Sequence, residues 1–179
     1  KEKLYPGATA VVIGVGGLGH VGVQILRAIT QATVIAVDLG EDKLALAREV
    51  GAHHTVNSDE HAAERIRELT NGLGATAVFD FVGVQPTIDL ARAVAGMDSF
   101  IHIVGIGGGI MPAGFFSTPM GAAVRAPYWG TRSELIEVLD LARSGAVGVH
   151  VERYGFDGAV EAYAKLHKGQ VRGRAVVVP

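Results

Sequence analysis

The glycine-rich stretch VVIGVGGLGHVGVQIL, from Val11 to Leu26, constrains the fold more than any other part of this sequence. It starts as an aliphatic run, typical of a buried strand, and continues as an amphipathic segment, typical of a helix. Between the two lies the pattern G-x-G-x-x-G, formed by Gly14, Gly16 and Gly19. Such glycines permit a tight turn and close contact between helix and strand. The stretch therefore predicts a strand–turn–helix unit at the start of an α/β domain.

Short aliphatic runs alternate with helical segments up to about residue 145, as in a doubly wound parallel sheet. Six strands are predicted, at Ala10–Gly14, Thr33–Asp38, Thr55–Asn57, Ala77–Phe81, Phe100–Ile106 and Ala122–Pro127. Helices are predicted at Gly17–Ile29, Asp42–Val50, Asp59–Thr70 and Thr87–Ala95, and a fifth follows the capping box Thr131–Glu134. We therefore expect a six-stranded Rossmann domain over residues 1–145.

Periodicity also assigns faces to two of these helices. In the first helix, one apolar stripe consists of Leu18, Val21, Ile25 and Ala28. In the fifth helix, the residues expected to face inward are Leu135, Leu139 and Ala142.

Residues 146–179 follow a different pattern. Val149 and Val151 alternate with polar neighbours, as in an antiparallel or edge strand. Asp157 can cap a helix that runs to Lys168, and RGRAVVVP ends the chain on a strand. One strand, one helix and one strand cannot form a core alone. The loop 107–121, with Phe115 and Phe116, is longer than most crossovers and is a candidate functional segment.

Composition excludes several classes of function. The net charge is −2 with no basic face, so nucleic acid and anionic membranes are poor partners. The sequence has no cysteine and seven scattered histidines, so it predicts neither disulfides nor a metal site of its own. No signal peptide precedes the first apolar run, and glycines interrupt that run too often for a membrane span. We expect a soluble, cytoplasmic protein.

The glycine turn predicts a dinucleotide site, because a helix N-terminus offers free N–H groups and a positive dipole to a pyrophosphate. Asp38 ends the second strand nineteen residues after Gly19, where a carboxylate accepts both ribose hydroxyls and repels a 2′-phosphate. Leu39 and Gly40 follow it, instead of the arginine that NADP requires, so NAD is the expected cofactor. Lys43 either faces this ligand or is solvated beside neighbouring acids.

Two further turns end predicted strands at the carboxyl edge of the sheet, where this fold binds ligands. Their residues either contact the nicotinamide side or serve only in strand packing: Val82, Gly83, Val104, Gly105 and Ile106. His20 is interpreted as a polar residue at a helix start, His102 as a core histidine, and Asp80 as a carboxylate without an evident partner. No catalytic residue is predicted.

Several stretches together resemble the zinc-dependent medium-chain alcohol dehydrogenases, and most closely their bacterial secondary-alcohol and aryl-aldehyde reducing branch. They are AVVIGVGGLGHVGVQILRA, VIAVDLGEDKLALAREVGA, VFDFVG, YWGTRSEL and VRGRAVVVP. The resemblance extends from Leu4 to Pro179. It implies that residues 1–145 are the NAD-binding domain and that residues 146–179 belong to a catalytic domain whose larger, zinc-binding part precedes this chain.

The resemblance also implies residue roles. Gly14, Gly16, Gly17, Leu18 and Gly19 would hold the pyrophosphate turn, with Leu18 backing the nicotinamide. Asp38 and Lys43 would bind the adenosine ribose, and Arg174 the pyrophosphate. Zinc ligands match nothing in this chain.

The complete enzyme would oxidise a small alcohol by hydride transfer to NAD, with zinc binding the alkoxide. This chain alone would bind cofactor without turnover. A homo-oligomer is expected through the edge strand Ala122–Pro127. Two alternatives stay open: a zinc-free quinone or enoyl reductase, against which Asp38 argues, and a non-catalytic NAD-binding partner module.

Overall fold

The computed structural model describes residues 4–179, so the first three residues of the predicted 1–145 domain lie outside it. Six parallel strands form one sheet: β1 (Thr9–Ile13), β2 (Thr33–Asp38), β3 (His54–Asn57), β4 (Ala75–Asp80), β5 (Ala95–Ile103) and β6 (Ala123–Arg125). Their order across the sheet is β3-β2-β1-β4-β5-β6. Because this order reverses between β1 and β4, the sheet is doubly wound, and the predicted Rossmann architecture is confirmed.

Helices cover both faces of this sheet: α1 (Gly19–Ile29), α2 (Glu41–Glu49), α3 (Ala62–Leu69), α4 (Gln85–Val94) and α5 (Arg132–Arg143). Alternate residues of each central strand enter two different cores. Val12 belongs to the same core cluster as Val23 of α1, whereas Val11 belongs to the cluster that contains Ile66 of α3. The four aliphatic side chains of β1 from Ala10 to Ile13 therefore reflect burial on both faces, as expected for a parallel sheet.

The predicted faces of two helices are wrong. In α1 the buried residues are Gly19, His20, Val23 and Leu26, whereas the predicted stripe of Leu18, Val21, Ile25 and Ala28 is half-buried or exposed. The reason is that Gly19 and Gly22 bring their own side of the helix against the backbone of Gly14 and the ring of Phe81.

In α5, the predicted inward residues Leu135, Leu139 and Ala142 are exposed. Val138 and Leu141 are half-buried instead. The reason is that α5 lies beside α1, and these two residues are on the side of α5 that lines a cleft between the two helices.

The fifth strand begins earlier than predicted. It follows α4 directly at Ala95, and the pairing register with β4 shifts between Ala75 and Ala77. Asp98, within this irregular part of the strand, has φ +53°, a conformation outside the ordinary extended range. Residues 104–122, which include the predicted loop 107–121, then connect β5 to β6 without a helix, and Phe115 and Phe116 in this loop are 79% and 94% exposed.

Residues after α5 form a second, two-stranded sheet. Its strands are β7 (Val151–Gly155) and β8 (Arg174–Val178), joined by a short 3-10 helix at Phe156–Gly158 and by α6 (Ala159–His167). The strands pair in parallel, so the antiparallel alternative is wrong. The intervening helix explains the parallel pairing, because it carries the chain back to the end at which β7 began, so that β8 runs in the same direction as β7. Within residues 4–179 each of these strands has a single neighbour and is therefore an edge, which agrees with the other alternative. Within residues 4–179, no helix combines the length and the apolar character that crossing a membrane requires.

We predict that truncating Ile35 in the centre of β2 destabilises the fold strongly, because this side chain is completely buried. Ile35→Val should lower the free energy of unfolding by about 0.5–1.5 kcal/mol, and Ile35→Ala by about 2–5 kcal/mol. Urea unfolding measures both. Leu73→Ala is the control, since Leu73 is 80% exposed and the change should stay within about 0.5 kcal/mol. Equal effects of Ile35→Ala and Leu73→Ala would contradict the assigned core.

Candidate cofactor-binding site

The turn between β1 and α1 is built on a close contact between two glycines. Gly14 has φ +86°, a conformation that L side chains rarely adopt. A Cβ atom at Gly19 would lie 1.8 Å from the carbonyl oxygen of Gly14, so no larger residue fits there. This contact starts α1 directly against the end of β1.

The N-terminus of α1 is open to a ligand. No side chain caps the helix, and its first turn contains no acidic residue. A Cβ atom at Gly16 would meet nothing within 4 Å, so the turn borders free space. The first N–H groups of a helix lack intrahelical partners and form its positive end. The turn therefore provides a site for an anionic group.

Asp38 lies beside this turn, at the end of β2, and the backbone holds its carboxylate in place. The N–H of Val15 donates to Oδ2 at 2.7 Å, and the N–H groups of Leu39 and Gly40 donate to Oδ1 at 2.8 and 3.3 Å. A carboxylate has about four acceptor positions. Asp38 therefore retains the capacity to accept from hydroxyl groups of a ligand.

Two cationic side chains flank the same turn. Lys43, in the first turn of α2, has its Nζ 3.9 Å from Oδ1 of Asp38. Arg174, at the start of β8, lies across Gly17: a Cβ atom there would be 2.7 Å from Cδ and 3.0 Å from Nη1 of Arg174. A carboxylate and two positive charges thus surround one helix N-terminus.

One cleft of about 680 Å³ collects most of the residues predicted to bind the cofactor. Nine of them line it: Gly14, Gly16, Gly17, Leu18, Gly19, Asp38, Lys43, Val82 and Arg174. The cleft thus spans the two sheets, because Arg174 belongs to the second one.

The other four predicted residues lie where β4 and β5 end. Gly83 and Gly105 are in close backbone contact, since a Cβ atom at Gly83 would be 2.3 Å from the carbonyl oxygen of Gly105. Val104 lines a second, larger cleft of about 1080 Å³, which Leu18 also borders, and Ile106 is 98% exposed. Leu18 therefore links the two clefts.

Asp80 organises this second region. It is fully buried, and its Oδ1 accepts the N–H groups of Val82 and Gly83, both at 2.9 Å. Its Oδ2 has no hydrogen-bond partner among the described residues. Asp80 thus shapes the turn after β4, a role that the sequence interpretation did not assign.

The two histidines also differ from their sequence interpretations. His102 is not enclosed in the core: it is half-buried, stacks on Phe79 with the ring centroids 5.2 Å apart, and lines the larger cleft. Burial is the main cause that lowers its pKa, and Arg125 adds to it.

His20 is not merely a polar residue at a helix start. It is completely buried, and its imidazole joins Gly16 to the backbone of His150. Burial lowers the pKa of this imidazole.

Zinc does not fit the described residues. Nowhere in residues 4–179 do three or more His, Cys, Asp or Glu side chains cluster so that they could hold a metal ion, and the sequence contains no cysteine.

Comparisons with known proteins relate this chain to dehydrogenases. The model of a family described as zinc-binding dehydrogenases matches residues 17–144. An NAD-dependent alcohol dehydrogenase of Sulfolobus acidocaldarius is 33% identical over 179 residues, which cover 98% of this chain and 52% of that protein.

Two solved structures have the same architecture. The alcohol dehydrogenase of the archaeon Aeropyrum pernix superposes with a TM-score of 0.92 at 39% identity, covering 99% of this chain and 52% of that one. The acetophenone reductase of Geotrichum candidum, solved in complex with NAD, superposes with a TM-score of 0.83 at 30% identity, covering 99% and 50%. The chain thus spans about half the length of the relatives it matches.

We predict opposite effects for alanine at two glycines of the turn. Gly19→Ala should lower the free energy of unfolding by about 1–3 kcal/mol, because its Cβ would collide with the Gly14 carbonyl. Gly16→Ala is the matched control: with open space around it, stability should stay constant or rise by up to about 1 kcal/mol. Chemical denaturation distinguishes the two, and equal stabilities would refute the close contact.

Proposed function

Because the chain belongs to the zinc-binding dehydrogenase family and carries its NAD-binding part, we propose that the cleft beside the glycine turn binds NAD. The whole protein is then an NAD-dependent alcohol dehydrogenase, which interconverts a small alcohol and its aldehyde or ketone. One observation carries the proposal: the uncapped N-terminus of α1, the Asp38 carboxylate and the Arg174 guanidinium meet in one cleft.

The roles proposed for the groups in the cleft follow from their charges. Gly14, Gly16, Gly17 and Gly19 form the turn for the pyrophosphate, whose charge the helix N-terminus and Arg174 neutralise. Asp38 accepts the hydroxyls of the adenosine ribose, and Lys43 holds the same end of the cleft. Asp38 also disfavours a 2′-phosphate, since two negative charges would be adjacent.

The nicotinamide side is proposed to extend from Leu18 toward the ends of β4 and β5. Its residues are Leu18, Val82, Gly83, Val104, Gly105 and Ile106. Support comes from Leu18 and Val104, which border the larger cleft. Bound NAD supplies a hydride acceptor in its nicotinamide ring. These apolar side chains and backbone groups orient that ring and exclude water from one side of it.

We further propose that residues 1–145 are the cofactor domain and that residues 146–179 are a segment of the catalytic domain. Support comes from the separate sheets of the two parts. Zinc ligands and substrate-binding groups then come from outside the described residues. The cytoplasmic location stays a prediction.

Asp38→Asn tests the cofactor assignment. The unmodified chain should bind NAD, and it should bind NADP at least about tenfold more weakly. Asp38→Asn should weaken NAD binding by about 10- to 100-fold, because a hydrogen bond to a charged group is lost. The substitution should also reduce the preference for NAD over NADP. Calorimetric titration of both cofactors measures this.

Asp42→Asn is the matched control, because it removes the same charge from an exposed position in the first turn of α2. Equal binding of NAD and NADP by the unmodified chain would refute the assignment. So would equal effects of the two substitutions.

A homo-oligomer through the last strand is the proposed quaternary structure. β6 pairs only with β5, so its other edge is unpaired within the described sheet, and all three of its residues are exposed. Such an edge can add a strand from a second copy. Sedimentation at micromolar concentration should detect a dimer, and Val124→Pro should weaken it at least about tenfold by removing a backbone donor. Val124→Thr keeps the donor and should stay dimeric. A monomeric unmodified chain would refute the proposal.

A further inference from the structure

His20 connects the glycine turn to the C-terminal segment through both nitrogens of its imidazole. Nδ1 lies 2.8 Å from the carbonyl oxygen of Gly16, and Nε2 lies 3.2 Å from the backbone nitrogen of His150. A backbone N–H only donates, so Nε2 must be the acceptor and the proton must reside on Nδ1, where it is donated to Gly16. The arrangement requires the neutral imidazole in one tautomer.

Gln24 makes the next contact one helical turn further along α1. Its Nε2 donates to the carbonyl oxygen of Gly148, and its Oε1 accepts the N–H of the same residue, both at 2.8 Å. Residues four positions apart share one side of a helix. His20 and Gln24 therefore form a polar latch, which holds residues 148–150 by their backbone.

Residues 148–150 in turn hold the start of β8. The N–H of Arg174 donates to the carbonyl oxygen of His150 at 2.9 Å. Gly173 packs so closely there that a Cβ atom would lie 2.3 Å from that oxygen. A continuous series of contacts thus leads from His20 through His150 to Arg174, whose side chain lies across Gly17.

We propose that His20 is a positioning residue for Arg174: with Gln24, its neutral imidazole fastens residues 148–150 to α1 and so holds the Arg174 guanidinium over the glycine turn. His20 itself does not touch the ligand in this arrangement. It acts on anion binding through the placement of Arg174, which belongs to a different sheet. The inference deepens the proposed NAD site and rests on it.

The latch makes the site sensitive to acid. Protonation of Nε2 removes the acceptor for the His150 N–H and places a cation beside Arg174. The titratable and charged side chains that act on His20 are those of His150 and Arg174, which lower its pKa together with burial, while the hydrogen bond to Gly16 raises it. Burial has the largest effect, so the pKa lies below its ordinary 6.5. The latch therefore stays closed at neutral pH and opens as the pH falls through the lowered pKa of His20.

Two substitutions at His20 test the role. His20→Gln keeps an acceptor on a side chain that does not titrate, whereas His20→Leu removes the acceptor without adding a charge. In the 179-residue chain, NAD affinity should fall about tenfold as the pH is lowered from 7 until His20 is protonated, and His20→Gln should abolish most of this fall. At pH 7, His20→Leu should bind NAD about tenfold more weakly, and His20→Gln within about twofold of the unmodified chain.

A double-mutant cycle shows whether the effect passes through Arg174. Arg174→Ala should weaken NAD binding, and adding His20→Leu to it should change the affinity little further, because the group being positioned is gone. Glu49→Gln is the control. It neutralises the carboxylate that accepts from the half-buried Arg172, two residues before Arg174, and should leave the pH profile unchanged.

Hydrogen exchange supplies a readout independent of NAD. The amides of His150 and Arg174 should lose protection in His20→Leu and keep it in His20→Gln. Full protection of these amides in His20→Leu would overturn the inference, as would additive effects in the double-mutant cycle. If NAD fails to bind at any pH, the proposed function is refuted, and the exchange data alone decide whether the latch exists.

Discussion

The contact between Gly19 and the carbonyl oxygen of Gly14 determines where α1 begins, and the rest of the cleft depends on that position. Because a Cβ atom would lie 1.8 Å from this oxygen, the helix can approach β1 only through glycine. The approach places the helix N-terminus at the point where the strand order reverses. The same turn presents the N–H of Val15 to Asp38 at 2.7 Å. The N-terminus of α1 and the Asp38 carboxylate are thus fixed relative to each other by backbone contacts.

Much of the sheet can be predicted because its signals are local. The aliphatic runs of β1, β2 and β4 are bounded by turn residues, and predicted and observed ends differ by at most two residues. The start of β5 and the inward side of α1 could not be predicted in this way. Asp98 continues a strand with a positive φ, and the glycines of α1 choose its buried side by permitting close approach, not by their own hydrophobicity.

The residues of the candidate site also differ in how well the sequence predicts them. The glycine turn and Asp38 are apparent from spacing along one βαβ unit, whereas Arg174 was assigned only through family resemblance. His20 was missed because its partner is 130 residues away, and no local pattern reports such a contact. A usable signal did exist in His20 and Gln24, two polar residues four positions apart in a mostly apolar helix. It becomes meaningful only once the buried side of α1 is known.

The attachment of the second sheet explains why a single histidine can matter. Few apolar side chains of residues 146–179 are buried: Val147, Ala162 and Val171 are, while most valines of β7 and β8 stay largely exposed. Directed hydrogen bonds therefore carry much of the attachment, and each depends on one protonation state or one acceptor. An anion that contacts both the glycine turn and Arg174 binds more tightly when residues 146–179 are attached to α1 than when they are detached. By linkage, cofactor occupancy and attachment of the second sheet must then stabilise each other to the same extent.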